Sequence, residues 1–394
     1  MKRILIAWEL GGNWGHLARD VPIALALRER GYEVHFAVRD PRTAAQFLTP
    51  HGFAFEPAPV GPVDRVARFA VSENFAGVLS TQGYGHPEAL HGLIAGWLEI
   101  FEAWRPALVI ADFAPGALLA TRVAGLPVAA VGLGFDMPPP LDPLPPIRPW
   151  EGYSIQRMAR LDAALLETVN TVLAQFSAAA LPRIGELFAG KWTALTTFPE
   201  LAHHGPRSNA NFVGPIYSTP PDAQEAHWPD TRGPRLLAYL RPNTRGLEGI
   251  LAALSRLGTV IASVPGLTSA IGSSTASCHI HTRGLQLQHL LPRTDILISN
   301  GNLTTSTLAL LAGVPVLAVP NFDEQHLGAL RIAELGAGLI ADKRRSEREL
   351  SASLLQLLSG SFRDNARKFA QRYGSETVAK AVTRAVNLFE AAAR

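Results

Sequence analysis

Cysteine is almost absent from the sequence. Cys278 is the only cysteine among 394 residues, so the chain can form neither an internal disulfide nor a zinc site built from several cysteines. A cysteine content this low is typical of proteins that work in a reducing compartment, and we therefore expect a cytoplasmic protein.

Long hydrophobic runs are lacking as well. The most apolar stretch, 116–135, is interrupted by Arg122 and Pro127, whereas a membrane-spanning helix needs about 20 consecutive apolar residues. Only the five residues 4–8 form an apolar run after the basic start of the chain, which is too short for a signal peptide. We expect a soluble protein without a transmembrane segment or a leader.

A strong charge of one sign is also missing. Lys and Arg total 36 and Asp and Glu total 33, which gives a formal net charge of +3. The densest basic cluster, 343–345, is followed by Glu347 and Glu349, and we interpret it as a solvated loop. Because no stripe of basic side chains could neutralise a run of phosphates, we expect no nucleic-acid partner.

Several catalytic signatures do not occur. The motifs D-x-D and H-E-x-x-H and paired Cys and His ligands are absent, so the sequence indicates no metal-dependent mechanism. The absence of G-x-S-x-G removes the usual sign of a serine hydrolase. Hydrophobic residues nevertheless make up 47% of the chain, which is enough for two packed domains.

Strand and helix patterns alternate along both halves of the chain. The apolar run 4–8, a glycine-bearing turn and an amphipathic helix ending at Gly31 predict a βαβ opening, and 107–131 repeats the pattern. The second half begins with a strand at 236–240 and continues with helix 246–257, strands 259–264 and 295–299, helix 303–312 and strand 314–319. This alternation predicts the α/β class, with two Rossmann-like domains whose ligands bind at the carboxyl ends of the strands, in the cleft between the domains.

The segments between these patterns predict the domain boundaries. Seven prolines between Met137 and Trp150 predict a rigid loop, and helical periodicity then extends from Ile155 to about Phe188. A segment rich in Pro, Asp and Thr follows near residue 218. We predict an N-terminal domain at 1–215, a linker at 216–233, a C-terminal domain at 234–375 and a terminal helix at 376–394.

Two polar side chains lie at strand ends of the first half. His16 begins the helix after the first strand, and Asp112 ends the apolar strand 108–111. Imidazole titrates near neutrality and is a common general base, and a carboxylate on its second nitrogen stabilises the imidazolium. The pair predicts an acid–base site; the alternatives are a histidine with a local hydrogen bond and an aspartate that caps the next helix.

Two further groups follow strands of the second half. Residues 299–305 place free backbone N–H groups and two threonine hydroxyls at a helix start, which favours binding of an anion such as phosphate. Glu324 and Gln325 follow the next strand, and their acceptor and donor atoms suit sugar hydroxyls. The alternative interpretation of this second group is a capped loop that binds no ligand.

In these motifs the sequence resembles the GT-B glycosyltransferases over nearly its whole length, most closely the bacterial antibiotic and macrolide glycosyltransferases and, further away, the UDP-glycosyltransferases. MurG, the lipid II synthesising enzyme, shares the glycine turn. The elements that carry the resemblance, in chain order, are Gly15–His16, Asp112, Phe212–Pro215, Leu290–Pro292, Gly313–Pro315, Glu324–Gln325 and Ala329.

The resemblance implies an inverting, metal-independent transfer of a sugar from a nucleotide-diphosphate donor to a small-molecule acceptor of natural-product type. His16 would deprotonate the acceptor and Asp112 would orient His16. The donor, UDP- or dTDP-linked, would be a co-substrate, so no separate cofactor is expected. The expected donor-binding residues are Arg241, Asn300, Gly301, Asn302, Thr304, Thr305, Glu324 and Gln325, and the expected acceptor-binding residues are Trp14, Phe75, Tyr84 and His86.

The sequence also departs from the family pattern. Asn300 replaces the histidine that contacts the donor phosphate, Asn302 replaces a glycine, and Leu308 replaces a glutamate that often binds the ribose. Arg241 stands where the family often has a small residue, and we expect it to supply charge to the diphosphate. Two alternatives to a transferase therefore stay open: a nucleotide-sugar epimerase on the same fold, and a non-catalytic protein that activates a partner glycosyltransferase.

Overall fold

The computed structural model describes residues 2–12, 14–61, 72–230, 233–268, 275–341 and 346–394. Asn13 in the glycine turn, residues 231–232 of the predicted linker and the basic cluster 343–345 lie outside the described residues. The chain divides into two units. The first comprises the chain up to Pro199, Pro206–Ser218 and Thr377–Arg394, and the second comprises Glu200–Gly205 and Thr219–Glu376.

Within the described residues, the first unit forms a seven-stranded parallel sheet in the order β3-β2-β1-β4-β5-β6-β7. The strands are β1 (Arg3–Trp8), β2 (Glu33–Val38), β3 (Ala54–Pro57), β4 (Leu108–Asp112), β5 (Val128–Gly132), β6 (Thr193–Leu195) and β7 (Asn211–Phe212). Five of the six residues of β1 are buried, because helices cover both faces of a parallel sheet. The apolar run at 4–8 is the sequence signature of that burial.

Six α-helices that the structure describes in the first unit precede the second sheet along the chain. They are α1 (Gly15–Glu29), α2 (Pro41–Leu48), α3 (Phe75–Leu79), α4 (Pro87–Trp104), α5 (Pro115–Ala124) and α6 (Ile155–Gln175). Helix α6 is shorter than the predicted helix 155–188. It ends because Ser177 adopts a left-handed conformation with φ 55°, and only a short 3-10 turn, Ile184–Phe188, follows.

The second unit has a parallel sheet of six described strands in the order β10-β9-β8-β11-β12-β13. Its strands are β8 (Arg235–Tyr239), β9 (Thr259–Ser263), β10 (Cys278–His281), β11 (Ile296–Ser299), β12 (Val316–Ala318) and β13 (Gly338–Ile340). Its helices are α7 (Leu247–Leu257), α8 (Leu287–Leu290), α9 (Leu303–Leu311), α10 (Asp323–Glu334), α11 (Glu347–Ser359) and α12 (Phe362–Tyr373). Both sheets therefore have a Rossmann-type strand order.

The last helix, α13 (Val378–Ala392), belongs to the first unit. Ala381, Ala385 and Phe389 recur every four residues, so they form one apolar face of the helix. That face is buried in the same hydrophobic cluster as Leu17 and Val21 of α1. The N-terminal domain is thus completed by the C-terminal end of the chain.

The segment Glu200–Gly205 groups with the second unit, whereas the sequence placed it in the N-terminal domain. Glu200 explains the difference, because its carboxylate accepts a hydrogen bond of 2.7 Å from the Tyr373 hydroxyl and pairs with Arg372 of α12. Contacts of this kind join residues far apart in the sequence, which local patterns do not reveal.

Candidate functional site

The strand order reverses next to the first strand of each sheet, and open α/β sheets bind their ligands at such points. In the first sheet the reversal lies between β1 and β4, where Trp8 pairs with Asp112. In the second sheet it lies between β8 and β11, where Tyr239 pairs with Ser299. Of the predicted catalytic residues, Asp112 belongs to the first pair and His16 follows β1. Several predicted donor-binding residues follow the second pair.

His16 and Asp112 are in direct contact. The Nδ1 atom of His16 lies 2.9 Å from both carboxylate oxygens of Asp112. Asp112 is fully buried, whereas the His16 side chain is 15% exposed. Because Nδ1 faces the carboxylate, Nδ1 carries the proton and Nε2 is the nitrogen that can accept another.

The backbone around His16 shapes the space beside Nε2. Gly11 has φ +80°, and a Cβ atom there would lie 2.6 Å from His16 Nε2, so a side chain at this position would displace the imidazole. Trp8 stacks on the His16 ring at a centroid distance of 5.2 Å. Phe113, whose ring lies 6.3 Å from that of His16, also has a positive φ, 45°. The glycine turn and the residue after Asp112 together hold the imidazole in place.

A cluster of buried charged side chains surrounds Asp112. Arg19 donates a hydrogen bond to Asp112 Oδ1 and lies 3.7 Å from Asp136 and 3.8 Å from Asp20. Asp136 follows β5 and accepts hydrogen bonds from the backbone N–H groups of residues 133 and 134. Burial alone would raise the pKa of Asp112, but the Arg19 guanidinium and His16 hold it below its ordinary value. Asp112 is therefore ionised, as a partner of His16 must be.

Asp20 differs from Asp112 although the two side chains are neighbours. Burial and the negative charge of Asp112 raise the pKa of Asp20 well above its ordinary value, and Arg19 offsets only part of that rise. Neither carboxyl oxygen of Asp20 accepts a hydrogen bond from a residue that the structure describes. Burial and neighbouring charges thus shift the pKa values of these two carboxyl groups in opposite directions.

Glu9, the residue after β1, is a second buried acid in this unit. It accepts hydrogen bonds from the Tyr84 hydroxyl, from Trp97 Nε1 at 3.0 Å and from the backbone N–H of Ala117 at 3.2 Å. Burial raises its pKa to about 7, and these hydrogen bonds limit the rise. A Cβ atom at Gly116 would lie 2.7 Å from Glu9 Oε2, so the start of α5 needs a glycine there.

The four predicted acceptor-binding residues do not form one group. Phe75 is fully buried and packs against Phe113, which in turn lies beside His16. Trp14 packs against Phe47. Tyr84 is buried, with its hydroxyl bound to Glu9, and His86 is exposed at the start of α4. The structure therefore links Phe75 to His16 through Phe113 and directs Tyr84 into the core.

In the second unit, Asn300 joins three segments at the carboxyl ends of the strands. Its Oδ1 accepts the backbone N–H of Arg241 at 2.9 Å, and its Nδ2 donates to Thr244 Oγ1 and to the Val319 carbonyl, both at 3.0 Å. Asn300 is 1% exposed, and both of its N–H donors are used. In this arrangement the Asn300 side chain fixes the loop after β8. Its predicted contact with a donor phosphate stays a prediction.

Gln325 has a similar role. Its Oε1 accepts the backbone N–H of Asn321 at 2.8 Å and its Nε2 donates to Asn302 Oδ1 at 2.8 Å. The Gln325 carbonyl lies 2.8 Å from where a Cβ of Gly301 would stand, and Gly301 has φ +84°, so only glycine fits. These contacts hold the loop before α9 against the start of α10.

The other predicted donor-binding groups surround this loop. Helix α9 begins at Leu303 without a side-chain cap, so the N–H groups of its first turn, which includes Thr304 and Thr305, have no partner within the helix. The Arg241 guanidinium lies 5.7 Å from the ring of Phe322. Glu324 makes no hydrogen bond or ion pair with a residue that the structure describes, so its carboxylate can still bind a ligand.

Sequence reasoning missed Arg19, Asp20, Asp136 and Glu9. Arg19 and Asp20 stand three and four residues after His16, a spacing that places side chains on one side of a helix, and this signal could have found them. Asp136 and Glu9 each follow a strand, which is where ligand-binding residues of such sheets lie. The described His, Cys, Asp and Glu side chains form no group of three that could hold a metal ion, and no described helix is long and apolar enough to span a bilayer.

Comparison with known proteins places this geometry in context, although no protein-family model matches the chain. The rhamnosyltransferase of PGL/p-HBAD biosynthesis from Mycobacterium tuberculosis (strain H37Ra) is 27% identical over 96% of this chain and 85% of its own. Among solved structures, the glycosyltransferase VinC in complex with dTDP has a TM-score of 0.71 at 22% identity over 99% of this chain and 100% of its own. The spinosyn rhamnosyltransferase SpnG, complexed with spinosyn aglycone, has a TM-score of 0.69 at 19% identity over 98% and 100% of the two chains.

The chain therefore has the GT-B fold, and its homologues and structural neighbours are glycosyltransferases. These comparisons confirm the predicted resemblance, the predicted α/β fold class with two parallel-sheet domains, and the predicted class of enzyme. The roles predicted for single site residues depend on the geometry described above.

Proposed function

We propose that the chain transfers a sugar, with inversion and without a metal ion, from a nucleoside diphosphate to a hydroxyl group of a small natural-product acceptor. The observation that carries this proposal is the contact between His16 Nδ1 and the ionised Asp112, with the opposite imidazole nitrogen beside Gly11. A buried carboxylate that orients a partly exposed imidazole is the arrangement that a general base requires.

In the proposed reaction His16 Nε2 takes the proton of the acceptor hydroxyl. The acceptor oxygen forms a bond to the anomeric carbon on the face opposite to the diphosphate, and the bond from that carbon to the diphosphate oxygen breaks. The nucleoside diphosphate leaves with that electron pair. Asp112 stabilises the imidazolium that forms on His16, so the charge that develops in the transition state has a fixed partner.

We assign the donor to the second unit. The free N–H groups at the start of α9 and the nearby Arg241 side chain favour the negative charge of a diphosphate. Glu324 has a carboxylate without a protein partner among the described residues, and it suits a sugar hydroxyl. VinC is complexed with dTDP, and both the mycobacterial sequence relative and the structural neighbour SpnG are rhamnosyltransferases. We therefore propose a dTDP-linked deoxyhexose as the donor and a UDP-linked hexose as the second candidate.

The test combines donor binding with turnover. Thermal unfolding is followed with dTDP, UDP and GDP, and saturation at about 100 times Kd should stabilise the protein by about 2.7 kcal/mol. The donor selected in this way is then incubated with a panel of aromatic and macrolide alcohols, and products are identified by mass spectrometry. His16→Ala and Asp112→Asn should each lower kcat by about 10²–10⁴-fold while donor affinity changes little.

A matched control is His51→Ala, which removes an exposed histidine of the same unit and should leave turnover unchanged. Near-normal turnover of His16→Ala would overturn the assignment of the base. A glycal formed from donor alone would indicate an epimerase instead. Protein that is folded but binds none of the three nucleotides would favour the non-catalytic alternative, for which the internally bonded Asn300 side chain is the supporting observation.

A further inference from the structure

Asp20 is a buried acid that the proposed reaction does not use. It stands on the second turn of α1, four residues after His16, and is 1% exposed. Its two carboxyl oxygens are completely buried, and no described residue donates a hydrogen bond to either of them. An ionised carboxylate in such a position would lose its hydration without replacement, which costs several kcal/mol.

The neighbours of Asp20 show how the cost is avoided. Asp20 Oδ1 lies 3.8 Å from Arg19 Nε, and the same guanidinium donates a hydrogen bond to Asp112 Oδ1, so both carboxyl groups lie against one cation. Two neighbouring carboxyl groups can share a hydrogen bond only if one of them is protonated. Asp112 is the ionised partner, because it also accepts from Arg19 and from His16. Asp20 is therefore the group that carries the proton.

The charge balance of the cluster agrees with this assignment. The cations that face it are Arg19 and Arg207, whose Nη2 donates to the Gly134 carbonyl at 2.9 Å and whose charge acts on Asp136. Three carboxyl groups, on Asp20, Asp112 and Asp136, face these two cations among the described residues, so one carboxyl group is in excess. The one that accepts no hydrogen bond is Asp20, and an ionised carboxylate without a donor is costly to bury.

We propose that Asp20 is a positioning residue that, as a neutral carboxylic acid, donates a hydrogen bond to Asp112 and so fixes the carboxylate that orients His16. Asp112 then accepts from three different donors, on His16, Arg19 and Asp20, and cannot rotate without breaking at least one of these bonds. The effect on catalysis rests on the proposed function, whereas the protonated state of Asp20 does not.

The protonated state is tested without any substrate. In protein labelled with ¹³C at the aspartate side-chain carboxyl, the Asp20 signal is the one missing from Asp20→Asn, and the Asp112 signal is the one missing from Asp112→Asn. We expect the Asp20 signal at the position of a carboxylic acid at pH 7 and the Asp112 signal at the position of a carboxylate. An Asp20 signal at the carboxylate position at pH 7 would overturn the proposal.

The positioning role is tested with two variants of nearly equal size. The side-chain amide introduced by Asp20→Asn can still donate to Asp112, whereas the alkyl side chain introduced by Asp20→Leu cannot. We expect Asp20→Asn to keep kcat within about tenfold of the wild type and Asp20→Leu to lose about 10²-fold, the loss that misplacement of a catalytic group by about 1 Å produces. The loss should appear in kcat and in the acidic limb of the pH profile, with KM for the donor little changed.

Equal losses in the two variants would show that the charge of Asp20 is needed, and no loss in a folded Asp20→Leu would show that Asp20 positions nothing; either result overturns the proposal. If Asp20→Leu does not fold, the ¹³C signal and the kcat of Asp20→Asn still decide, because a neutral donor must be tolerated and a required carboxylate must not. If the wild type transfers no sugar, the proposed function fails while the ¹³C measurement still tests the proton on Asp20.

Discussion

Replacement of Glu9 by glutamine tests how the fold accommodates a buried acid. Burial raises the pKa of Glu9 from the ordinary 4.5 to about 7, and hydrogen bonds from Tyr84, Trp97 and the backbone at Ala117 limit the rise. Since one pKa unit corresponds to about 1.4 kcal/mol, ionised Glu9 makes the folded state about 3 kcal/mol less stable than it would be with a neutral group of the same shape.

The direction of the pH dependence follows from the raised pKa. The folded protein holds the Glu9 proton more tightly than the unfolded chain does, so this contribution to stability is fully present below about pH 4.5 and is lost as the pH rises through about 7. Glutamine has the same shape and no charge: its oxygen can accept from Trp97 and Ala117, and its amide can donate to the Tyr84 oxygen. The free energy of unfolding of Glu9→Gln, taken relative to that of the wild type, should therefore increase by about 2.5 kcal/mol from pH 5 to pH 8.

The measurement is the free energy of unfolding in urea at pH 5, 6.5 and 8 for both proteins, followed by circular dichroism. Other titrating groups cancel in the difference between the proteins, so only Glu9 contributes to its pH dependence. Tyr84→Phe is the matched control: it removes a hydrogen bond that lowers the pKa of Glu9, and it should steepen the pH dependence only when Glu9 is present. A difference between wild type and Glu9→Gln that stays constant from pH 5 to pH 8 would refute the reasoning.

Two further substitutions test the loops that carry the proposed sites. Asn300→Ala should lower the stability of the protein by about 2 kcal/mol in thermal unfolding, because it leaves buried partners without a hydrogen bond. The control Asn243→Ala, at an exposed position of the same loop, should leave the stability unchanged. An unchanged Tm for Asn300→Ala would show that its side chain does not fix the loop after β8. Gly132→Ala would place a Cβ 2.5 Å from Asp136 Oδ1, so it should cost about 1–3 kcal/mol and reduce turnover, whereas Gly92→Ala, with no atom within 4 Å of the new Cβ, should do neither.

Much of the fold could be predicted because buried strands and helices have characteristic local patterns of apolar residues. The strand β1 lies within one residue of the apolar run 4–8, and α9 and β11 lie within a residue or so of the predicted 303–312 and 295–299. The prediction of a helix at 155–188 was wrong at its C-terminal end, because the left-handed conformation of Ser177 has no strong sequence signal. Local sequence patterns predict burial well, but they predict the end of a helix poorly when no glycine or proline stands there.

The candidate site was predictable only in part. His16 and Asp112 could be paired because His16 follows β1, Asp112 ends β4, and these two strands are neighbours in a Rossmann-type order. Arg19 and Asp20 were not singled out, because charged residues on a surface helix are normally solvated, and here both are buried. Asn300 was correctly placed at a strand end, but the direction of its amide depends on Thr244 and Val319, which are distant in the sequence.

The sequence by itself determined the class of fold, the order of its strands and helices, and the strand ends at which reactive side chains collect, because these follow from local hydrophobic periodicity and the chirality of βαβ units. The tertiary structure alone decided the opposite pKa shifts of Asp20 and Asp112 and the inward direction of Asn300 and Tyr84. A carboxyl group gains or loses its proton according to the charges and donors within a few ångströms, and α1, β4 and the loop after β5 bring those groups together only when the chain is folded.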